Sequence, residues 1–509
     1  MKSYKAFLVL NLLVAVALSS CSGLPKGVCT VNCSQGGTAK VSFIMVADTL
    51  PVNLSVISFR VIVTGITLTT STGATASLST NAVLDLMRLQ SDSAFLGTIA
   101  NAPTGQYTSV TLALTAQEIT FLNTSAGAVG TCPSGSICIV PLPPTTIGTP
   151  KFTFPSAITI SANTGFGIDF NLANAVTITG TTLNVNLTNS GNTNVITSFT
   201  LPRQNSNLAS GQLDLIEDIT GVVSIGNSGV AITPASNAGR LAITAVANSN
   251  TVLNADPSGN LCTNPTPGQV ATCVSSNQAA SMDAILKSDG TFSIQEIEPL
   301  LATLKDTVEG TVTSINANSQ TQFTLIVTDL LPAAQNSLIG SLHVCDGLTV
   351  NLANNTNPFL VDTKGLPVDQ LDPGTLNNFA TQTTTGAIHL GQTVAVHIIA
   401  PFTAANGNTI ASSSADTVTL RWSRLTSAVA PVSPTIFDVS AIPPYFNFTS
   451  NSAFQVQVFT NTVPPTNFDG VTDATQLVNT KPVAVRALFF ENLGNTLNPA
   501  FFVAKVRQH

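Results

Sequence analysis

From about residue 38 onward, apolar and polar positions alternate with a period of two, in short runs broken by clusters of Gly, Asn, Ser and Pro. In Val56-Ile57-Ser58-Phe59-Arg60-Val61-Ile62-Val63, the side chains of Ile57, Phe59, Val61 and Val63 fall on one face, because successive side chains of a strand point to opposite sides. Residues 39–45 and 109–114 read the same way, with β-branched Thr and Val at many positions, as strands prefer. Long helical periodicity is missing. The stretches that fit a helix best are 281–287 and 297–304, the latter only if Pro299 occupies the first turn. The pattern predicts an all-β chain: an N-terminal β-sandwich followed by two or three small β-barrel or sandwich domains.

The first twenty residues follow a different rule. Lys2 and Lys5 precede an apolar run over 6–18 broken only by Asn11. This run is too short for a bilayer core of about 30 Å, which takes about 20 apolar residues, and it fits an export signal. It ends in Leu18-Ser19-Ser20-Cys21, which resembles the bacterial lipobox. The resemblance implies cleavage before Cys21 and a diacylglycerol on its thiol, anchoring the mature chain to a membrane. Ser22 after the cysteine resembles the outer-membrane sorting pattern. The expected location is therefore the cell envelope, lipid-anchored at the outer membrane, with the periplasmic and surface faces both left open. Residues 21–37, with Pro25, Gly27, Gly36 and Gly37, read as a lipidated tether.

Cysteine usage agrees with export. Besides Cys21, six of the eight cysteines form close pairs in loop-like sequence: Cys29 with Cys33, Cys132 with Cys138, and Cys262 with Cys273. Small disulfide-closed loops suit an oxidising compartment. Cys345 is left over and is expected to be buried as a small hydrophobe. A structural metal would need four clustered N or S ligands, and Cys29-x3-Cys33 has no nearby His, so no metal and no cofactor is expected.

The first folded segment spans 38–203. Its Gly37-Thr38 opening, Ala47-Asp48-Thr49-Leu50-Pro51, Leu84-Asp85-Leu86, Pro103-Thr104-Gly105-Gln106-Tyr107 and Gly167-Ile168-Asp169-Phe170-Asn171-Leu172 occur in that order. This order resembles an uncharacterised prokaryotic lipoprotein domain family marked by a D-A-P start and a P-x-G-x-Y turn, a turn shared with prealbumin-like sandwiches. The chain departs from it at Thr49-Leu50. The resemblance implies a sandwich on an exported protein and no particular activity. Downstream, Gly221-Val222-Val223-Ser224-Ile225 and Gly310-Thr311-Val312-Thr313-Ser314-Ile315 look like copies of one unit, and the second continues to Leu390-Gly391-Gln392-Thr393-Val394-Ala395-Val396. This resembles a second uncharacterised family of small barrel-like exported domains. The units are expected at 211–300 and 305–425, with a third over 428–509.

Composition narrows the function classes. Only 8% of residues are charged, against about 25% in ordinary globular chains. With 18 Lys and Arg, 25 Asp and Glu and a net charge of -7, binding to a phosphate backbone is excluded as a partner mode. No nucleophile elbow, H-E-x-x-H or phosphate-binding glycine loop is present. His389 and His397, if on one strand, would lie about 26 Å apart, too far to share a metal. Asp214, Glu217 and Asp218 form the densest acidic cluster and read as a solvated inter-domain face or, alternatively, a calcium site. Asp169 is expected to face solvent or tie down a loop. Two aromatics are candidate ligand contacts: Trp422, flanked by Arg421 and Arg424, and Tyr107, which reads either as a sugar-stacking platform or as a packed corner. The expectation is a non-catalytic, lipid-anchored binding or spacer module, with a glycan or an envelope protein as the candidate partner. The alternatives are a carbohydrate-binding or adhesive lipoprotein, and a hydrolase with an unrecognised site.

Overall fold

The alternating runs become strands throughout a computed structural model that describes residues 37–509 except 49, 51–54, 143–147, 190–193, 200–210, 236–238, 267, 301–304, 334–336, 354–358, 365, 367–378, 380–383, 404–409, 448–453, 460–464, 491–499 and 509. The signal segment and Cys21, Cys29 and Cys33 lie outside the described residues. The N-terminal part contains β1 (Thr38–Ala47), β2 (Val56–Thr70), β3 (Thr75–Asp85), β4 (Ala94–Pro103), β5 (Gly105–Leu122), β6 (Ile137–Pro141), β7 (Lys151–Ile160), β8 (Thr164–Phe170), β9 (Val176–Thr179), β10 (Thr182–Val185) and β11 (Ile196–Phe199). One sheet runs β11-β8-β1-β4, a second runs β3-β2-β5-β6 with β7 also on β5, and β9 and β10 pair as a hairpin. Val41, Phe43 and Met45 of β1 share a core with Phe59, Val61 and Val63 of β2, so the inward faces of both sheets form a sandwich.

Three barrels follow. The first is β12 (Gln212–Gly226), β13 (Gly229–Thr233), β14 (Ile243–Val246), β15 (Val252–Leu253), β16 (Ala279–Lys287) and β17 (Phe292–Pro299). The second is β18 (Thr307–Ile315), β19 (Gln322–Leu331), β20 (Gly347–Leu352), β21 (Phe359–Val361), β22 (Thr393–Ile398) and β23 (Ala411–Arg421). The third is β24 (Ser423–Ser433), β25 (Ile436–Ser440), β26 (Phe454–Val458), β27 (Asn467–Asp469), β28 (Pro482–Phe490) and β29 (Ala500–Arg507). Their strand orders are the same: β14-β13-β12-β16-β17-β15, β20-β19-β18-β22-β23-β21 and β26-β25-β24-β28-β29-β27. Each is closed by a parallel pairing, β14 on β17, β20 on β23 and β26 on β29, and its fourth strand adds in parallel to the last. Leaving out that fourth strand, the closed order is 1-2-3-5-4, a five-stranded Greek-key barrel. Closure removes the free edges that an isolated six-stranded sheet would expose.

The repeat extends to register. Asp283↔Glu296, His397↔Thr417 and Arg486↔Lys505 are equivalent pairs, each beside a bulge that leaves one extra residue on the last strand: Gln295, Asp416 and Ala504. Gly221 and Gly310 are equivalent too. A Cβ on either would lie 2.4 Å from a carbonyl oxygen of the next strand, that of Thr233 or Ile326, which is why both copies carry glycine there.

Two expectations change. Residues 281–287 lie in β16 and Ile297–Pro299 ends β17, so these residues are strand and not helix, while 301–304 lie outside the described residues. Ala280, Met282, Ala284 and Leu286 alternate into the barrel core, and pairing with β12 and β17 on both sides overrides the short helical signal. The second and third units also meet earlier than expected, since only Trp422 separates β23 from β24.

Candidate functional site

The outer faces of the barrels, which a strand pattern assigns to water, meet one another and carry the chain's charge. Twenty of the described Asp, Glu, Lys and Arg residues are buried. β12 supplies Asp214, Glu217 and Asp218. Its register against β16 slips between Gln212 and Leu215 and again between Ile216 and Ile219, so the strand bulges at each acidic position. Asp218 takes a positive φ of 56°, an uncommon conformation for a non-glycine residue and one that is tolerated where surrounding contacts hold it. The bulges turn adjacent carboxylates toward the neighbouring barrels instead of alternating them between core and solvent.

Asp218 is the hub. Its carboxylate meets Arg486 Nη2 at 2.9 Å, Arg421 Nη2 at 3.0 Å, Arg424 Nη2 at 3.1 Å and Arg88 Nη2 at 3.6 Å, and it also pairs with Lys364. These cations come from all three other bodies: Arg88 from the turn after β3, Lys364 and Arg421 from the second barrel, and Arg424 and Arg486 from the third. Glu309 of the second barrel accepts from Arg421 at 3.2 Å and Arg424 at 3.3 Å, and Asp329 pairs with both Arg88 and Arg240 at 2.7 Å. Asp92 of the sandwich accepts from Arg424 at 2.8 Å.

A second cluster fixes the end of the chain. Asp214 pairs with Lys505 at 3.0 Å and with Arg507 at 2.9 Å. Arg507 also donates to Asp469 at 2.7 Å and to the backbone carbonyls of Leu89, Gln90 and Asp92 at 2.7, 3.2 and 3.1 Å. One guanidinium thus ties the last strand of the third barrel to the first barrel and to the sandwich. The charges are complementary by body: the first barrel contributes mainly carboxylates, the third mainly cations, and the second both.

The adjacent residues Glu217 and Asp218 show how position decides protonation. Burial is the largest influence on each and pushes both carboxyls up. At Asp218 the attraction of Lys364, Arg486, Arg421 and Arg424 outweighs it, holding the group well below the usual carboxylate range. At Glu217 it does not: Arg486 pulls down, the Asp92 charge pushes up, and the carboxyl is held well above its ordinary value. Asp92 is deeply buried, which pushes its carboxyl up, but the attraction of Arg424, Arg486 and Arg88 outweighs this and holds it low. Glu217 and Asp92 are a carboxyl–carboxylate pair of the kind that can serve acid–base chemistry. The spaces beside it and beside Arg88 are only about 50 and 40 Å3, room for water rather than for a substrate.

The acidic cluster expected to be a solvated face or a calcium site is therefore neither. Asp214, Glu217 and Asp218 are each at most 2% exposed, and their nearest charged partners are cations. Among the described residues no group of three or more His, Cys, Asp or Glu is placed to hold a metal ion. Trp422 is 1% exposed, packed in the core of the second barrel with the Arg486 guanidinium 5.2 Å above its ring. Tyr107 is fully buried and donates its hydroxyl to the Pro103 carbonyl at 2.7 Å, the packed-corner arrangement. Neither ring presents a face to a ligand in solvent. Asp169 is half-buried on β8. Cys132–Cys138 and Cys262–Cys273 are disulfides with Cα atoms 5.8 and 4.5 Å apart, and Cys345 is a buried free thiol.

His389 and His397 do not share a strand, because His389 precedes β22. His397 Nδ1 faces Asp416 Oδ1 at 2.5 Å. The sequence carried no sign of the buried network beyond the unusual scarcity of charge, and its partners are far apart along the chain, 268 positions for Arg486 and Asp218. No family model, curated protein or solved structure matches this chain.

Proposed function

We propose that the protein is a non-catalytic module of the bacterial envelope, held to a membrane through a lipidated Cys21 and serving as a rigid binding or spacer body. The observation that carries this reading is the inward turn of the charge. Arg88, Lys364, Arg421, Arg424, Arg486 and Arg507 are engaged in joining the sandwich and the three barrels, and the carboxylates around them are engaged in return. A buried pair holds its geometry tightly because separating it leaves an uncompensated charge in a medium of low polarity. The joined bodies then behave as one spacer, and the exterior is left to Thr, Ser and Asn, neutral residues that solvate well.

The anchor reading rests on the Lys2, Lys5 and Leu18-Ser19-Ser20-Cys21 pattern, and the two disulfides agree with an oxidising compartment. Fractionation of cells that express the full chain tests it: Cys21→Ser should move the protein from the membrane to the soluble fraction. Unchanged membrane association would sink the anchor.

A further inference from the structure

A cleft of about 140 Å3 opens between the first and second barrels, on the face of β22 and β23 that is outward from its own barrel. We propose that it binds a small organic anion: one carboxylate on an apolar body the size of a six-membered ring.

Register equivalence shows what sets this face apart. His397 occupies the position held by Asp283 in the first barrel and Arg486 in the third. Those two belong to the buried ion network, Arg486 through Asp218 at 2.9 Å and Asp283 through Lys364 at 3.7 Å. In the second barrel the same position lines the cleft instead. The bulge residue beside it, Asp416, takes up the Nδ1 edge of the imidazole, so the Nε2 edge is the one left for another partner.

The cations on the wall divide in the same way. Arg421 is consumed by Asp218 and Glu309 at 3.0 and 3.2 Å and by Asp362. Lys305 has no ion-pair partner among the described residues. The remaining carboxylate on the wall, Asp256, already accepts from the Ser258 hydroxyl and from the Leu261 N–H. Those donors are neutral and leave the Asp256 charge in place, but they occupy both of its oxygens, so the charged group of the cleft left open to a partner is Lys305. Leu300, Leu331 and Leu360 supply its apolar surface. A dry site of about 150 Å3 accepts benzene, which sets the size of the body that fits. A carboxylate directed at Lys305, with its body over the leucines beside His397, satisfies both features. A neutral ring would leave the ammonium unused, and a larger anion exceeds the space.

The test uses the full chain and titrates benzoate, with benzamide as its neutral isostere, by saturation-transfer NMR and calorimetry. Benzoate should bind at least about tenfold more tightly than benzamide, a difference of about 1.4 kcal/mol. Lys305→Met should remove that preference while leaving benzamide binding and Trp422 fluorescence unchanged, and Leu360→Trp should block both ligands by filling the cleft. No benzoate binding at about 10 mM, a concentration that would populate even a millimolar site, overturns the proposal. So does equal binding of the two compounds, or a benzoate affinity that Lys305→Met leaves intact. None of these outcomes depends on the membrane anchor.

Discussion

Substituting Asp218 and Glu217 separately probes the charge network at adjacent, equally buried positions with opposite expected outcomes. Asp218→Asn keeps the shape of the side chain but removes the negative charge facing Lys364, Arg421, Arg424 and Arg486. Removing one member of a buried ion pair costs about 3–5 kcal/mol, because its partners stay buried without compensation. Glu217→Gln removes a carboxyl whose charged form burial already disfavours, so its cost should stay under about 1 kcal/mol, near the value of one neutral hydrogen bond. The pH dependences also run in opposite directions. The folded-state pKa of Asp218 is depressed, so its stabilisation is present above the unfolded value near about 3.9 and is lost as pH falls through the lower folded value. The gap between wild type and Asp218→Asn should be widest near neutral pH and close in strong acid. The folded-state pKa of Glu217 is raised, so its stabilisation is present below about 4.3 and is lost as pH rises through the folded value, and Glu217→Gln should gain on wild type over that rise. Urea unfolding followed by fluorescence reads this directly, since the sole Trp, Trp422, sits at the junction beneath Arg486. An Asp218→Asn protein within about 1 kcal/mol of wild type at neutral pH, below the range for a broken buried pair, would refute the reasoning. Equal destabilisation by the two substitutions would refute it as well.

Gly310→Ala and Gly221→Ala should each cost about 1–3 kcal/mol in denaturant unfolding, because the new methyl meets a backbone carbonyl at 2.4 Å. Gly226→Ala, whose nearest obstacle is 4.0 Å away, serves as the control and should change stability little. Tyr107→Phe should cost about 1 kcal/mol through loss of the bond to Pro103, and no effect would contradict the corner assignment. Peptide mapping without reductant should recover Cys132–Cys138 and Cys262–Cys273 as linked fragments and Cys345 as a thiol that reacts only after unfolding. Opening the Cys132–Cys138 loop by double substitution to Ser should cost about 2 kcal/mol, and free thiols at these positions in exported protein would contradict the pairing.

The period-two alternation was enough to read the all-β class, because it records which side of each strand faces that strand's own core. Phe59, Val61 and Val63 are buried in the sandwich core as the alternation requires, whereas Ile57, beside a register shift, packs into the core of the third barrel. The P-x-G-x-Y corner, both described disulfides and the buried Cys345 were legible for a similar reason: each depends on residues close in sequence or on side-chain size. The repeat of Gly221 at Gly310 was visible because one backbone geometry demands glycine in both copies. The helical reading of 281–287 failed because pairing with β12 and β17, remote in sequence, chose the extended form.

The charge network was beyond reach from the chain alone. Local rules assign the outer face of a strand to water, and Asp214-Leu215-Ile216-Glu217-Asp218 obeys them as a solvated cluster. Whether another body covers that face depends on packing between bodies, and so does the protonation of Glu217 as against Asp218, which have nearly the same sequence surroundings. The composition recorded that charge was scarce, while only the tertiary structure decided that so much of it lies inside, where low polarity makes each pairing strong and each unpaired ion costly.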